Sequence, residues 1–439
     1  MDFEYRKRAL AHLSDQLKEE TFSHQLVQAY MKDTWFLKRN VVDREIKAPV
    51  ALLAQTGIDT EYTAKYGIDP DNLRPIGKIA VLLPFNGINI MASKAIASSF
   101  YAGNKTIVKL PRKLKHAAPL YQQLISSCLP GVEFASDQQS SGDFLNNCIS
   151  SPEIKAIVIY GDDKWIWSYK DAVHNARKKL IFEGPGKDPQ IVMKDADLEK
   201  AVSDAVQCGL LNGGQSCSAM ERFFVHESIV DEFVERLTAR LLALRLGDHE
   251  DDGTDIGPIH SEIVLNRMAQ QVEDARSRGA AILLGGKAVP VNGTRGIAFL
   301  PTIITGCTTD MKVIQEENFG PLFPIITFSS YRDLATKVDH TRYGLNASLY
   351  GTSTTAFLDY MENNHRNFYV NSTVTTAVNS ASRILDGGFR NSGFIWEWKQ
   401  GEFMQREGQR MLLKELSAEP GPAIIADGTA LQNITLSTS

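Results

Sequence analysis

Apolar residues at Leu10, Leu13 and Leu17, then Phe22 and Leu26, recur at helical spacing with an interruption near Thr21. That spacing predicts an amphipathic helix, or a pair of them, packed on a larger body. From Gly57 to Pro75 the period is lost, and Gly67, Pro70 and Pro75 punctuate what reads as a surface connection. At Lys78 the pattern changes to short β-branched runs separated by helical stretches. KIAVLLP predicts a strand, Asn86-Gly87 a turn, residues 89–101 a small-residue helix closing at Gly103, and TIVKLP a second strand. A helix over about 115–128, the strand KAIVIY, a helix through Trp167 and Ala176, and the strand LIF before Glu183 continue the alternation. Such repeats build a doubly wound parallel sheet, whose ligands bind at the carboxyl ends of the strands. Asn86, Lys109 and Arg112 stand at such ends.

Further on, Asp195-Ala196-Asp197 offers N-caps for a helix from Leu198, with Ala201, Ala205 and Cys208 or Gly209 on one side. This helix runs into Asn212-Gly213-Gly214-Gln215-Ser216-Cys217-Ser218, a glycine-rich loop that presents a thiol ahead of a strand at RFFVH. An amphipathic helix (IVDEFVERLTARLLAL), a Gly/Asp linker over 247–257 and a helix over 262–278 indicate a second α/β unit. The tail after Glu419 has no helical period and reads as either an extended arm or a poorly ordered segment.

Composition narrows the function without naming it. A chain of 439 residues, 43% apolar and 23% charged, is long enough for two or three domains with ordinary cores. A net charge of −5 argues against a nucleic-acid partner. The N-terminal MDFEYRKRAL has no apolar h-region, and runs such as Ile79 to Phe85 fall far short of the ~20 residues of a membrane span, so a cytoplasmic protein is expected. Five scattered cysteines without a C-x-x-C pair and nine dispersed histidines imply neither a disulfide framework nor a metal. Cys128, Cys148, Cys208 and Cys307 read as small apolar fillers. Cys217 is the candidate nucleophile, since glycines on its N-terminal side allow close backbone approach and its own N–H can face a developing oxyanion. A thiol near pKa ~8.5 is only a few per cent thiolate at neutral pH, so a neighbour must take its proton or favour the anion.

Four short patterns, in order, resemble the aldehyde dehydrogenase superfamily from about Arg74 to about Leu416. PIGKIAVLLPFN is similar to the family's PxGVVxxxxPWN, LIFEGPGK to xLELGGK, NGGQSCSAMER to NxGQxCxAxxR, and EENFGP to EExFGP. GGFRNSG resembles a fifth pattern, FGGxKxSG. The resemblance implies an α/β fold with a Rossmann-type doubly wound NAD(P)-binding domain over 1–185 and an α/β catalytic domain over 186–385. A C-terminal return segment and oligomerisation arm would occupy 386–439. It implies oxidation of a small-molecule aldehyde to a carboxylic acid through a thiohemiacetal and thioester, by a homodimer. Cys217 matches the nucleophile, Asn86 the oxyanion-hole amide, and Glu183 the carboxylate that activates the deacylating water. Lys109 matches the adenosine-ribose lysine, Glu317 the nicotinamide-ribose glutamate, and Phe319 the aromatic beside it.

The departures are as informative as the matches. Gly161-Asp162-Asp163-Lys164-Trp165-Ile166 stands where the family has a GSTxxG loop beside the cofactor diphosphate, and only the first glycine survives. Two carboxylates there repel a diphosphate unless they turn away or Lys164 offsets them. Arg112 occupies the place of a ribose-binding glutamate and suits a 2′-phosphate, favouring NADP over NAD. Pro185 replaces a glycine beside Glu183, whose base role calls for a buried carboxylate of raised pKa. Trp165, Trp167 and Tyr169 read as packing; Trp396 and Trp398 either line a substrate tunnel or cover the second domain. Two alternatives stay open: an acyl-CoA or acyl-phosphate reductase of the same fold, and a catalytically silent scaffold.

Overall fold

The computed structural model describes residues 2–56, 73–352, 364–376 and 386–418. Five parallel strands run side by side in the order Lys179–Glu183, Ile154–Tyr160, Lys78–Leu82, Lys105–Lys109 and Val132–Phe134. Their runs are apolar on both faces because both faces are covered. Ile79, Val81 and Ile181 enter one core together with the N-terminal helices, while Ala80, Ile157 and Phe182 enter the core on the opposite side. The sheet continues through antiparallel strands Gly393–Lys399, Glu402–Arg410, Asp386–Arg390 and Tyr343–Gly344, reaching nine strands among the described residues. The segment from Asp386 therefore returns to the sheet built by the first half of the chain. The tail beyond Ala418, for which an arm or a poorly ordered segment is expected, lies outside the described residues.

Among the described residues the second sheet has seven strands, in the order Asn367–Val370, Asn346–Tyr350, Asp188–Val192, Met220–His226, Leu322–Phe328, Thr302–Thr305 and Ala281–Leu284. All its pairs are parallel except the last. The chain passes from one sheet to the other between Glu183 and Asp188. Gly184, Pro185, Gly186 and Lys187 make that crossing, which sets the carboxyl edge of the first sheet against the start of the second.

The N-terminal apolar stripe folds as two helices, Phe3–Lys18 and Glu20–Thr34, with Leu10, Leu13, Leu17 and Leu26 buried. The interruption falls at Glu19, whose carboxylate accepts from the amides of Thr21 and Phe22 and caps the second helix. After a short helix Lys38–Val41 comes a π-helical turn, Val42–Lys47, and then the helix Ala48–Thr56. The surface connection expected from Gly57 falls largely outside the described residues. The turn packs against the helix Ile88–Tyr101, which is buried on nearly every side.

Neither expectation for Trp396 holds. It is fully buried on Gly393–Lys399 within the first sheet, its ring 4.7 Å from Phe394 and 5.4 Å from Trp167. Trp398 also belongs to that sheet, donating through Nε1 to the carbonyl of His174 at 3.1 Å. The alternating pattern of the C-terminal strands sets these rings against the first sheet, away from the second one. Trp396→Ala is expected to lower unfolding free energy by about 3–5 kcal/mol while leaving catalytic constants well below the melting temperature within about threefold. Denaturant midpoints set beside steady-state rates measure both.

Candidate active site

The nucleophile candidate is delivered by the helix Leu198–Gly209, capped by Asp197, which accepts from the amide of Lys200 at 3.0 Å. Asn212, Gly213 and Gly214 then take left-handed φ values of +53°, +66° and +82°, and the chain reverses. Two close approaches fix the loop. A Cβ on Gly214 would meet the backbone of Gly320 at 2.3 Å, and one on Gly186 would meet the carbonyl oxygen of Cys217 at 1.9 Å. The GPGK and EENFGP segments thus press on the cysteine loop where only glycine fits. Cys217 is half-buried, whereas the other four cysteines are buried.

A buried polar knot joins the same segments. Lys187 Nζ donates to Glu221 at 3.0 Å and to Asn318 Oδ1 at 2.5 Å, and Arg222 Nε donates to the Lys187 carbonyl at 2.8 Å. Glu221 accepts the backbone amides of Asn318 and Phe319 at 2.7 and 2.8 Å. These bonds hold Phe319 at φ +55°, costly for a phenylalanine, beside the cysteine loop.

One cavity of about 290 Å³ is lined by Asn86, Gly161, Glu183, Cys217, Glu317 and Phe319. Six of the eight residues expected at the site are therefore brought together. Lys109 and Arg112 are not: Lys109 is buried with Nζ on the carbonyl of Ser136 at 2.9 Å, and Arg112 is exposed. Burial and the charge of Arg112 hold the Lys109 pKa down, so the two cations are neighbours. Asn86 Nδ2 donates to the Gln215 carbonyl at 3.4 Å, and Asn212 Nδ2 returns a bond of the same length to the Asn86 carbonyl. Phe85 and Phe319 line the cavity with ring centroids 6.3 Å apart, and Lys113 Nζ stands 4.6 Å from the Phe85 ring.

The aldehyde dehydrogenase family model matches residues 1–406. The chain belongs to the aldehyde dehydrogenase family. It is 34% identical over 302 residues to a Mycobacterium tuberculosis protein named succinate-semialdehyde dehydrogenase [NADP(+)] 1, covering 68% of this chain and 64% of that one. A Mycobacterium avium protein named succinate-semialdehyde dehydrogenase [NADP(+)] is 32% identical over 65% of this chain and 58% of its own. The match thus spans less than two thirds of these relatives. Among solved structures, the NAD-dependent aldehyde dehydrogenase of Sinorhizobium meliloti superposes with a TM-score of 0.79 at 20% identity, over 97% of this chain and 84% of that one. Lactaldehyde dehydrogenase from Escherichia coli gives 0.78 at 22% identity, over 93% and 87%. These likenesses carry the fold.

Against the family pattern, the altered 161–166 loop resolves into two separate acids. Asp163 is buried, accepting from Tyr343 Oη at 3.1 Å and Asn391 Nδ2 at 2.6 Å, so it faces inward. Asp162 lines the cavity, caps the short helix behind it through the Lys164 amide, and stands 3.7 Å from Arg267. Arg267 is also 3.7 Å from Glu317 and is the cation that offsets this acidic wall. Burial and the charge of Glu221 push the Glu317 carboxyl well up, against the pull of Arg267.

Glu183 departs from the expected raised pKa. Burial alone would raise it, but Arg366, Lys94, Arg410 and the Gly387 amide outweigh that and hold the carboxylate below its ordinary range. Arg366 Nη1 lies 2.8 Å from Glu183 Oε2, and the Gly387 N–H donates to the same oxygen at 3.0 Å. Beside it, Pro185 accepts from Ser392 Oγ at 2.6 Å through its carbonyl. The Cys217 thiol is pushed up to about 11, first by burial and then by the charge of Glu183, with Arg44 and Arg366 pulling down.

Sequence reasoning missed Lys94, Arg267, Arg366 and the Lys187–Glu221 pair. Lys94 left a signal, since it is the one charged residue in the helix Ile88–Tyr101. Lys187 and Glu221 stood inside quoted motifs; Arg267 and Arg366 carried no local mark. Alkylation of Cys217 by iodoacetamide should quicken about tenfold per pH unit and level off only near pH 11. Glu183→Gln removes a charge that opposes the thiolate and should shift that curve to lower pH. Single-site labelling followed by mass spectrometry reads both curves.

Proposed function

We propose that this chain oxidises an aldehyde to a carboxylic acid with NAD(P), through a covalent adduct on Cys217. What carries the reading is one cavity at the sheet's carboxyl edge lined by the thiol, the Asn86 amide and the Glu183 carboxylate. Residues 1–185 with the returning C-terminal strands would hold the cofactor, and 186–385 the nucleophile.

The residues fit a dinucleotide. Phe85 and Phe319 give the cavity apolar aromatic walls suited to a planar ring, Glu317 suits a ribose, and Arg267 supplies positive charge beside Asp162. Lys109 and Arg112, adjacent cations further along the strand ends, suit the adenosine end and a 2′-phosphate. The [NADP(+)] in the names of the mycobacterial relatives supports the same preference. A bound nicotinamide would supply the hydride acceptor.

The chain's own groups supply the remainder. The Cys217 sulfur attacks the carbonyl carbon as its proton leaves towards the Glu183 side of the cavity. The Asn86 amide and the Cys217 N–H donate to the oxygen that gains negative charge; losing one such donor costs roughly 10²–10³ in rate. Once the adduct is a thioester, Glu183 takes a proton from the attacking water. Its ion pair with Arg366 favours the ionised form at neutral pH and weakens it as a base, which slows deacylation and points to it as the slower half-reaction.

Rapid mixing with aldehyde and cofactor should therefore give a burst of reduced nicotinamide approaching one equivalent per chain, followed by slow turnover. Cys217→Ala should abolish burst and turnover together; turnover surviving in that variant sinks the mechanism. Steady-state kcat/KM should favour NADP over NAD, and Arg112→Ala should erase most of the preference. An intrinsic preference for NAD would exclude the assigned role of Arg112.

A further inference from the structure

We propose that Arg44 reads the far end of the substrate, and that the substrate is an aldehyde carrying a carboxylate a few carbons from the reacting group. The proposal rests on the oxidative reading above and adds the substrate class to it.

A second cavity, about 340 Å³, shares Met91 and Glu183 with the first and reaches Ser218, the neighbour of Cys217. Cys217 lines the first cavity and not the second, and the shared Met91 and Glu183 join the two, so the second would be an approach to the sulfur from the Glu183 side. Four cations line it, Arg44, Lys47, Lys94 and Arg366, against two carboxylates, Asp43 and Glu183. Both carboxylates are already engaged: Asp43 with Lys47 at 2.8 Å and Glu183 with Arg366 at 2.8 Å. Among the described residues Arg44 enters no ion pair, and its Nε is buried without a hydrogen-bond partner. A guanidinium stripped of water on one side and left unpaired is costly, and an incoming carboxylate would satisfy it bidentately.

The local fold explains how Arg44 reaches this position. It sits in the π-helical turn Val42–Lys47, and such turns insert an extra residue per turn and are frequent at functional sites. Glu45, next in the chain, is buried and accepts the Asn89 amide at 2.8 Å at the start of the helix Ile88–Tyr101. Arg44 instead lies against Gly87, where a Cβ would meet its Nη2 at 3.2 Å. Gly87 follows Asn86, the oxyanion candidate, but Arg44 itself lines the second cavity while Asn86 and Cys217 line the first, so a short substrate would have to span the two and the guanidinium is offset from the reacting carbon. Its charge is felt at the Cys217 sulfur, where it is foremost among the groups favouring thiolate. Arg44 also favours the Glu45 carboxylate, behind the Asn89 amide, but makes no ion pair with it, and burial still leaves that carboxyl with a pKa of about 7. Lys47, exposed and paired with Asp43, makes a cationic rim.

The test compares succinate semialdehyde with butanal, an uncharged aldehyde of equal chain length, at saturating cofactor. Wild type should favour the charged substrate in kcat/KM. Arg44→Met should lose about 10–100-fold more in kcat/KM on succinate semialdehyde than on butanal, the excess mostly through KM, with Arg44→Lys in between; a smaller loss common to both substrates reports the missing charge at Cys217. Equal losses on both substrates, or a wild-type preference for butanal, overturn the proposal. A second readout needs no turnover: succinate should raise the melting temperature of wild type and not of Arg44→Met, and equal shifts in both overturn it as well. Absence of turnover with either aldehyde in wild type would instead sink the oxidative reading, leaving the succinate result to decide Arg44 by itself.

Discussion

The buried pair of Lys187 and Glu221 is the constraint on which the site depends. Each residue belongs to a different segment, and Glu221 spends its remaining lone pairs on the amides of Asn318 and Phe319 from a third. Burying two charges costs several kcal/mol per ion, and this is offset only when every remaining donor and acceptor is satisfied. Burial shows in the Lys187 ammonium, whose pKa falls to about 8 despite its carboxylate partner. Breaking one partner would leave the other charged and alone at the point where three loops meet. The knot thus trades stability for registration: it sets GPGK, the cysteine loop and EENFGP at one spacing, and the glycine contacts at Gly186 and Gly214 are tight because that spacing is fixed.

Around this frame the charges are arranged in two regions. Towards Glu317 the first cavity is acidic, with Asp162 and Glu317 sharing Arg267. On the other side of Glu183 the second cavity is cationic, through Arg44, Lys94 and Arg366. Cys217 stands between opposing influences, its thiol raised by burial and carboxylates and lowered by two guanidinium groups. Glu183 lies on both cavities and is itself clamped by Arg366, so its availability for the base role proposed above depends on how tightly that ion pair is held. A substrate anion drawn towards Arg44 would add negative charge near this cluster, coupling substrate binding to the state of the catalytic groups through plain electrostatics.

Much of the architecture was legible in the chain. Alternating β-branched and helical segments from Lys78 gave the parallel sheet, since strands covered on both faces must be apolar throughout, and the observed strands fall on the expected runs. The N-terminal stripe gave helices correctly, yet nothing in its period marked Arg44. A helix's apolar face is visible as spacing, whereas the destination of one arginine depends on a π-turn and on the helix it meets. Trp396 misled for a related reason: a strand's partner sheet is not written in its own residues, and the C-terminal strands turned back to the first sheet.

The sequence by itself determined the family, the α/β alternation and the positions of Asn86, Glu183, Cys217, Glu317 and Phe319, because these lie in short stretches where spacing and residue type travel together. Only the tertiary structure decided that Asp163 turns inward, that Arg267 rather than Lys164 faces Asp162, that Arg366 clamps Glu183 and that Arg44 enters no ion pair among the described residues. Those facts concern pairs brought together from distant parts of the chain. Charge interactions act through space and are set by burial, so no local pattern records them until the chain has folded.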